Sequence, residues 1–149
     1  MWSESKSLII SKFCVYLFMV LLVSCAFLAP RLVARLLTMS LLAETAGCTM
    51  FLITIYAGAI PAAALLVCLH MLLRRIGAGR VFVPENTTYM RYISWCCFVG
   101  AAICIASSFY YPPWLAIGVA AAFLGIVMRV LKNVFSKAVS LQEEAELVI

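Results

Sequence analysis

The run FCVYLFMVLLVSCAFLA, residues 13–29, contains no charged side chain. A helix rising about 1.5 Å per residue needs about 20 such residues to cross the hydrocarbon of a bilayer. Leu8, Ile9 and Ile10 lengthen the run on its N-terminal side. A secretory signal peptide is the competing reading, because Lys12 could close a charged region ahead of a hydrophobic one. The run is long for a signal core and ends on Pro30 and Arg31 without a small-x-small cleavage site, so it reads as a retained span.

Three further apolar runs cover residues 48–73, 92–110 and 114–131, the last with Arg129 near its end. Only Tyr111, Pro112 and Pro113 separate the last two, which predicts a tight hairpin. The whole chain is 66% hydrophobic and 11% charged, too little polar material to clothe a soluble core of 149 residues. The expected fold is all-α: an integral membrane four-helix bundle in one domain over 1–149. Residues 132–149 are expected to form a cytoplasmic helical tail. From Arg129 onward, Val130, Val134, Ala138 and Leu141 recur at helical spacing against Arg129, Lys132, Ser136 and Lys137, the pattern of an amphipathic helix.

Several residues punctuate the spans. Pro30 suits the first position of a new helix, where its missing N–H is not needed. The segment RLVARLLTMSLLAETAG, 31–47, then reads as a separate interfacial helix or a stub of span two. Arg31 and Arg35 share one of its faces and Leu32, Leu36 and Met39 another, with Glu44 at the outer mouth. Pro61 frees the carbonyl four residues back and predicts a kink, as a packing bend or a hinge. Ala62, Ala63 and Ala64, and separately Gly118 and Gly125, offer smooth surfaces for close helix contact.

Charge orients the chain. With the N-terminus inside, nine of the eleven Lys and Arg residues lie on the inner side. They are Lys6, Lys12, Arg74, Arg75, Arg80, Arg91, Arg129, Lys132 and Lys137, leaving Arg31 and Arg35 outside. The positive-inside rule therefore predicts both termini in the cytoplasm of a plasma membrane. The net charge of +5 sits at span ends, which points to anionic lipid headgroups. No aromatic-and-basic surface or helix-turn-helix pattern suggests direct nucleic-acid binding.

Chemistry is sparse. The chain has no Asp, a single histidine, His70, and no acid placed to orient it. No P-loop, dinucleotide fingerprint, HExxH or CxxC occurs, and the seven cysteines lie mostly in apolar runs as small hydrophobes. The expectation is a protein that is not an enzyme and binds no cofactor or metal. Ser107 and Ser108 are expected to bond to carbonyls one turn back.

Polar residues gather instead on the inner side. Phe82, Glu85, Asn86 and Arg91 lie in and after the middle loop, and Arg129, Lys132, Asn133, Phe135 and Lys137 in the last helix. Asn86 or Thr87 could cap the third helix, and Glu85 could pair with Arg91, Lys132 or Lys137. Asn86 and Asn133 could hold the loop through backbone groups. The nine residues read first as a latch between spans, and second as a docking face for a cytoplasmic partner. On the other side, Glu44 and Pro61 could form an outer vestibule. That would suit an oligomeric transporter or permeation protein for a small hydrophobic or cationic compound.

Five short patterns carry a family resemblance. They are Phe82-x-x-Glu85-Asn86, Arg91-Tyr-Ile-Ser94-Trp95-Cys96, and Phe123-x-Gly125. Next come Arg129-Val-Leu-Lys132-Asn133-Val-Phe135-x-Lys137-Ala138 and Leu141-Gln-Glu-Glu144-x-Glu146-Leu-Val-Ile149. From residue 13 onward the chain resembles the small bacterial four-span membrane proteins of unknown function grouped as DUF2975, also called YoaS-like. Val148 stands where that pattern has threonine, and Gly77-Ala-Gly79 and the cysteine-rich third span depart from it. The resemblance assigns no chemistry. It implies a small cytoplasmic helix-turn-helix regulator as partner, and with it a membrane-embedded accessory or regulatory protein that binds this partner through the inner loop and C-terminal helix.

Overall fold

A computed structural model describes residues 3–38 and 45–148. These form four helices: α1 (Glu4–Thr38), α2 (Thr45–Gly77), α3 (Pro84–Ser107) and α4 (Pro113–Leu147). All four are long and apolar enough to cross a membrane, and the chain is a multi-pass membrane protein. Short connections leave successive helices side by side and antiparallel. Tyr16 near the start of α1 meets His70 near the end of α2, with ring centroids 5.2 Å apart. Among the described residues the backbones adjoin only as α1–α2, α2–α3 and α3–α4, so the bundle is a serial array with α2 and α3 in its middle.

This arrangement shows in the surface. The protein exposes 10500 Å², against about 7500 Å² for a soluble monomer of 16.4 kDa. The excess is apolar: Phe13, Phe18, Phe27, Ile60, Phe109 and Phe123 all stand out from the helices. In water such a surface would aggregate; in lipid it is the outer face of the fold.

Small residues set the α3–α4 contact. A Cβ on Gly118 would lie 2.8 Å from the Ile105 side chain and 3.2 Å from the Ala101 carbonyl. One on Gly125 would lie 3.0 Å from Phe98 and 3.2 Å from Cys97. The close approach lets the fully buried Ser94 hydroxyl donate to the Gly125 carbonyl at 3.0 Å. This bond satisfies a polar group that lipid could not.

Pro30 departs from its expected role. It lies inside α1, which continues through it to Thr38. Proline withholds the N–H that the Ala26 carbonyl would otherwise accept. Tyr56 of α2 replaces it: its hydroxyl donates to the Ala26 carbonyl at 3.0 Å. The partner comes from another helix, so local sequence could not show it. Pro61 likewise sits buried within an unbroken α2.

Candidate functional site

The end of the bundle that the charge pattern assigns to the inner side is built on the loop between α2 and α3. Helix α2 stops in a Schellman motif: Arg80 N–H donates to the Arg75 carbonyl and Gly79 N–H to the Ile76 carbonyl, each at 3.1 Å. Gly79 adopts φ +81°, the left-handed conformation that this termination needs and that glycine takes without strain. Val83 is extended, as the residue before a proline prefers, and Pro84 occupies the first turn of α3.

Asn86 does not cap α3; Val83 holds the N-cap position without a side-chain bond. Asn86 lies one turn inside, fully buried. Its Nδ2 donates backward to the Arg80 carbonyl at 2.7 Å and the Val81 carbonyl at 2.8 Å. One amide thereby binds two carbonyls of a loop that has no ladder to pair them.

The loop is tied on both flanks. Glu85 pairs with Arg75 of α2, not with Arg91, Lys132 or Lys137 as the charge pattern suggested. The reason is geometric: α2 ends where α3 begins, so Arg75 is nearer than the α4 cations. The Arg75 guanidinium also lies 5.3 Å from the Tyr89 ring centroid. Phe82 packs against Phe135 of α4, with centroids 6.0 Å apart. Below these contacts Leu72, Met90, Ile93 and Cys97 form the buried apolar core, with Met128 and Phe135 against it. Arg129 is 5.4 Å from the Trp95 ring and 6.0 Å from that of Phe98, a cation stacked on aromatics at the membrane edge.

The nine inner residues thus divide. Phe82, Glu85, Asn86, Arg129 and Phe135 face partners within the fold. Arg91, Asn133 and Lys137 are exposed and Lys132 half-exposed. Arg91 and Lys132 both line a groove of about 330 Å³. Its remaining wall is Pro84, Thr87 and Thr88 from α3, and Ser136, Val139, Ser140 and Glu143 from α4.

The outer end holds a hydrogen-bonded chain that the sequence reading passed over. Ser107 donates to the Ile103 carbonyl at 2.8 Å and the C-cap residue Ser108 to that of Ile105 at 2.6 Å, both about one turn back as expected. With its proton so placed, Ser107 accepts from Thr54 of α2 at 2.7 Å, and the Tyr110 hydroxyl, with its one proton, reaches both Thr54 and the Met50 carbonyl, the latter at 3.3 Å. A lone threonine among apolar residues was the available signal, but its partner lies 53 positions away. Phe51 meets the rings of Tyr110, Tyr111 and Trp114 edge-on or tilted, closing this end.

Beside that chain an apolar cleft of about 270 Å³ is lined from all four helices, including Cys25, Gly58, Ala59, Cys104 and Trp114. Glu44 lies outside the described residues, and Pro61 is buried away from the cleft wall. His70 stands against Tyr16 with its buried Nδ1 unpartnered. The seven cysteines are free thiols, and no three His, Cys, Asp or Glu side chains converge among the described residues.

A family model described as "Protein of unknown function (DUF2975)" matches residues 4–149, and the chain belongs to that family. No curated protein and no solved structure matches it.

Proposed function

We propose that this DUF2975 member is a membrane-embedded accessory protein that holds a small, basic cytoplasmic regulator at its inner face. The carrying observation is the end of α4. Every described residue from 140 to 148 is exposed, and the 35-residue helix is about 52 Å long against about 30 Å of hydrocarbon. The projection bears Glu143, Glu144 and Glu146 and no cation beyond Lys137. An acidic tip of this kind complements the basic surface of a DNA-binding protein, and a helix-turn-helix regulator fits. Val130, Val134 and Leu141 are each more than half exposed, so this apolar row is free to lie on the leaflet or under the partner.

The proposal requires both termini in the cytoplasm, as the distribution of Lys and Arg favours. It assigns no catalytic step. The inner latch supports it by holding the root of α4 against α2 and α3, so that the tip projects from a rigid base.

Cross-linked purification from native membranes tests the proposal. A small basic DNA-binding protein should co-purify, should be lost with Glu143→Gln, Glu144→Gln and Glu146→Gln combined, and should be displaced by its own operator DNA. Recovery unchanged by the triple substitution, or recovery of the chain alone, would reject it.

The apolar cleft favours a second reading, an oligomer that passes a small hydrophobic or cationic compound. Ala59→Phe fills the cleft and should then abolish flux of an apolar cation dye across proteoliposomes; flux that persists sinks this reading.

A further inference from the structure

We propose that the groove between the first turns of α3 and the inner part of α4 is a binding site for an anionic phospholipid with a hydroxylated headgroup, of the phosphatidylglycerol type. Four observations converge. Arg91 and Lys132 enter from two different helices, and neither is engaged by the latch that occupies Glu85. Four hydroxyls, on Thr87, Thr88, Ser136 and Ser140, line the same space. Glu143 supplies the one carboxylate. The volume of about 330 Å³ accommodates a phosphate and a three-carbon polyol.

Depth selects a lipid over a soluble ligand. Tyr92 and Trp95 are both more than half exposed and follow Arg91 along α3. Aromatics of this kind sit at the headgroup level, with Arg129 stacked on Trp95 at the same height. Arg91 is about one turn outward from Trp95, and Lys132 about one turn outward from Arg129. The two cations are therefore placed where lipid phosphates lie, and acyl chains can descend along the exposed apolar faces below.

The charge balance selects the headgroup. Two cations against one carboxylate leave a single net positive charge, which matches a phosphodiester monoanion better than a dianion. A carboxylate beside a phosphate is tolerated when it accepts a hydroxyl proton, so Glu143 suits a headgroup that carries hydroxyls. Phosphatidylethanolamine offers an ammonium and no hydroxyl; phosphatidylcholine offers no donor at all. Thr and Ser hydroxyls can both donate to phosphate and accept from a glycerol.

Native mass spectrometry of the purified full-length chain, with defined lipids added in detergent, tests this site. Wild type should retain phosphatidylglycerol at least fivefold more than phosphatidylethanolamine or phosphatidylcholine. Arg91→Gln with Lys132→Gln should reduce that retention about tenfold, whereas Arg31→Gln with Arg35→Gln, an equal charge change elsewhere, should leave it intact. Lys132→Arg should restore most of it in the Arg91 background, which separates binding from folding. Glu143→Gln should narrow the preference by raising phosphatidic acid binding relative to phosphatidylglycerol. Glycerol phosphate at millimolar concentration should compete weakly. Equal retention by the inner and outer double variants would overturn the site. Full displacement by glycerol phosphate or inorganic phosphate would overturn the lipid assignment. Because the probe here is a lipid and the variants spare Glu144 and Glu146, failure of the regulator complex leaves this result independent.

Discussion

Gly58 and Gly118 are both helical glycines in apolar spans, and they differ in what lies opposite. A Cβ on Gly58 meets nothing within 4 Å; one on Gly118 meets Ile105 and the Ala101 backbone. A flexible side chain can yield, but a backbone carbonyl moves only with its helix. Gly118→Ala should therefore cost about 1–3 kcal/mol, while Gly58→Ala should be neutral or stabilise by up to about 1 kcal/mol through helix propensity. Reversible unfolding in mixed micelles measures both. Asn86 offers a second test at this scale. Asn86→Ala removes the donors to the Arg80 and Val81 carbonyls and should cost about 1–3 kcal/mol. Trypsin should then cut faster after Arg80; cleavage at the wild-type rate would show that the loop is held otherwise.

Among the elements, α1 poses the sharpest question, because a proline sits inside it and the helix goes on. The structural answer is the Tyr56 hydroxyl on the Ala26 carbonyl. Tyr56→Phe should cost about 1 kcal/mol in the natural background, since it leaves that carbonyl unpaired in an apolar setting. With Pro30→Ala in place the backbone N–H returns, and the same change should be almost silent. A double-mutant cycle reads the difference, and additivity within about 0.3 kcal/mol would exclude the replacement. Local sequence favours a helix start at Pro30, because proline statistics favour that position. The statistics omit a donor that arrives from a neighbouring helix.

For the whole molecule, the serial order of helices has a consequence for the tail. Residues beyond 140 are exposed, so truncation after Ser140 should shift stability by no more than about 0.5 kcal/mol. The same truncation should abolish recovery of the regulator. Orientation is tested separately: a green fluorescent reporter fused after Ile149, or inserted at Gly79, should fluoresce, and alkaline phosphatase at either place should be inactive. Active phosphatase at the C-terminus would invert the topology and remove the cytoplasmic partner.

Four spans, their membrane setting and the family were all legible in the order of residues, because each depends on uninterrupted apolar length or on short local patterns. Gly118 and Gly125 were legible as a packing face for the same reason, as their seven-residue spacing holds them on one side of any helix. Other features depended on which helices become neighbours. Glu85 has several cations at plausible sequence distance, and only the end-to-start approach of α2 and α3 selects Arg75. Thr54 and Ser107, and Tyr56 and Ala26, are joined across helices, and Arg91 and Lys132 line one groove from two helices, where hydrophobic periodicity carries no information about partners. Local hydropathy determined that these segments leave water; the directional bonds and close contacts between helices, which lipid cannot replace, decided how they meet.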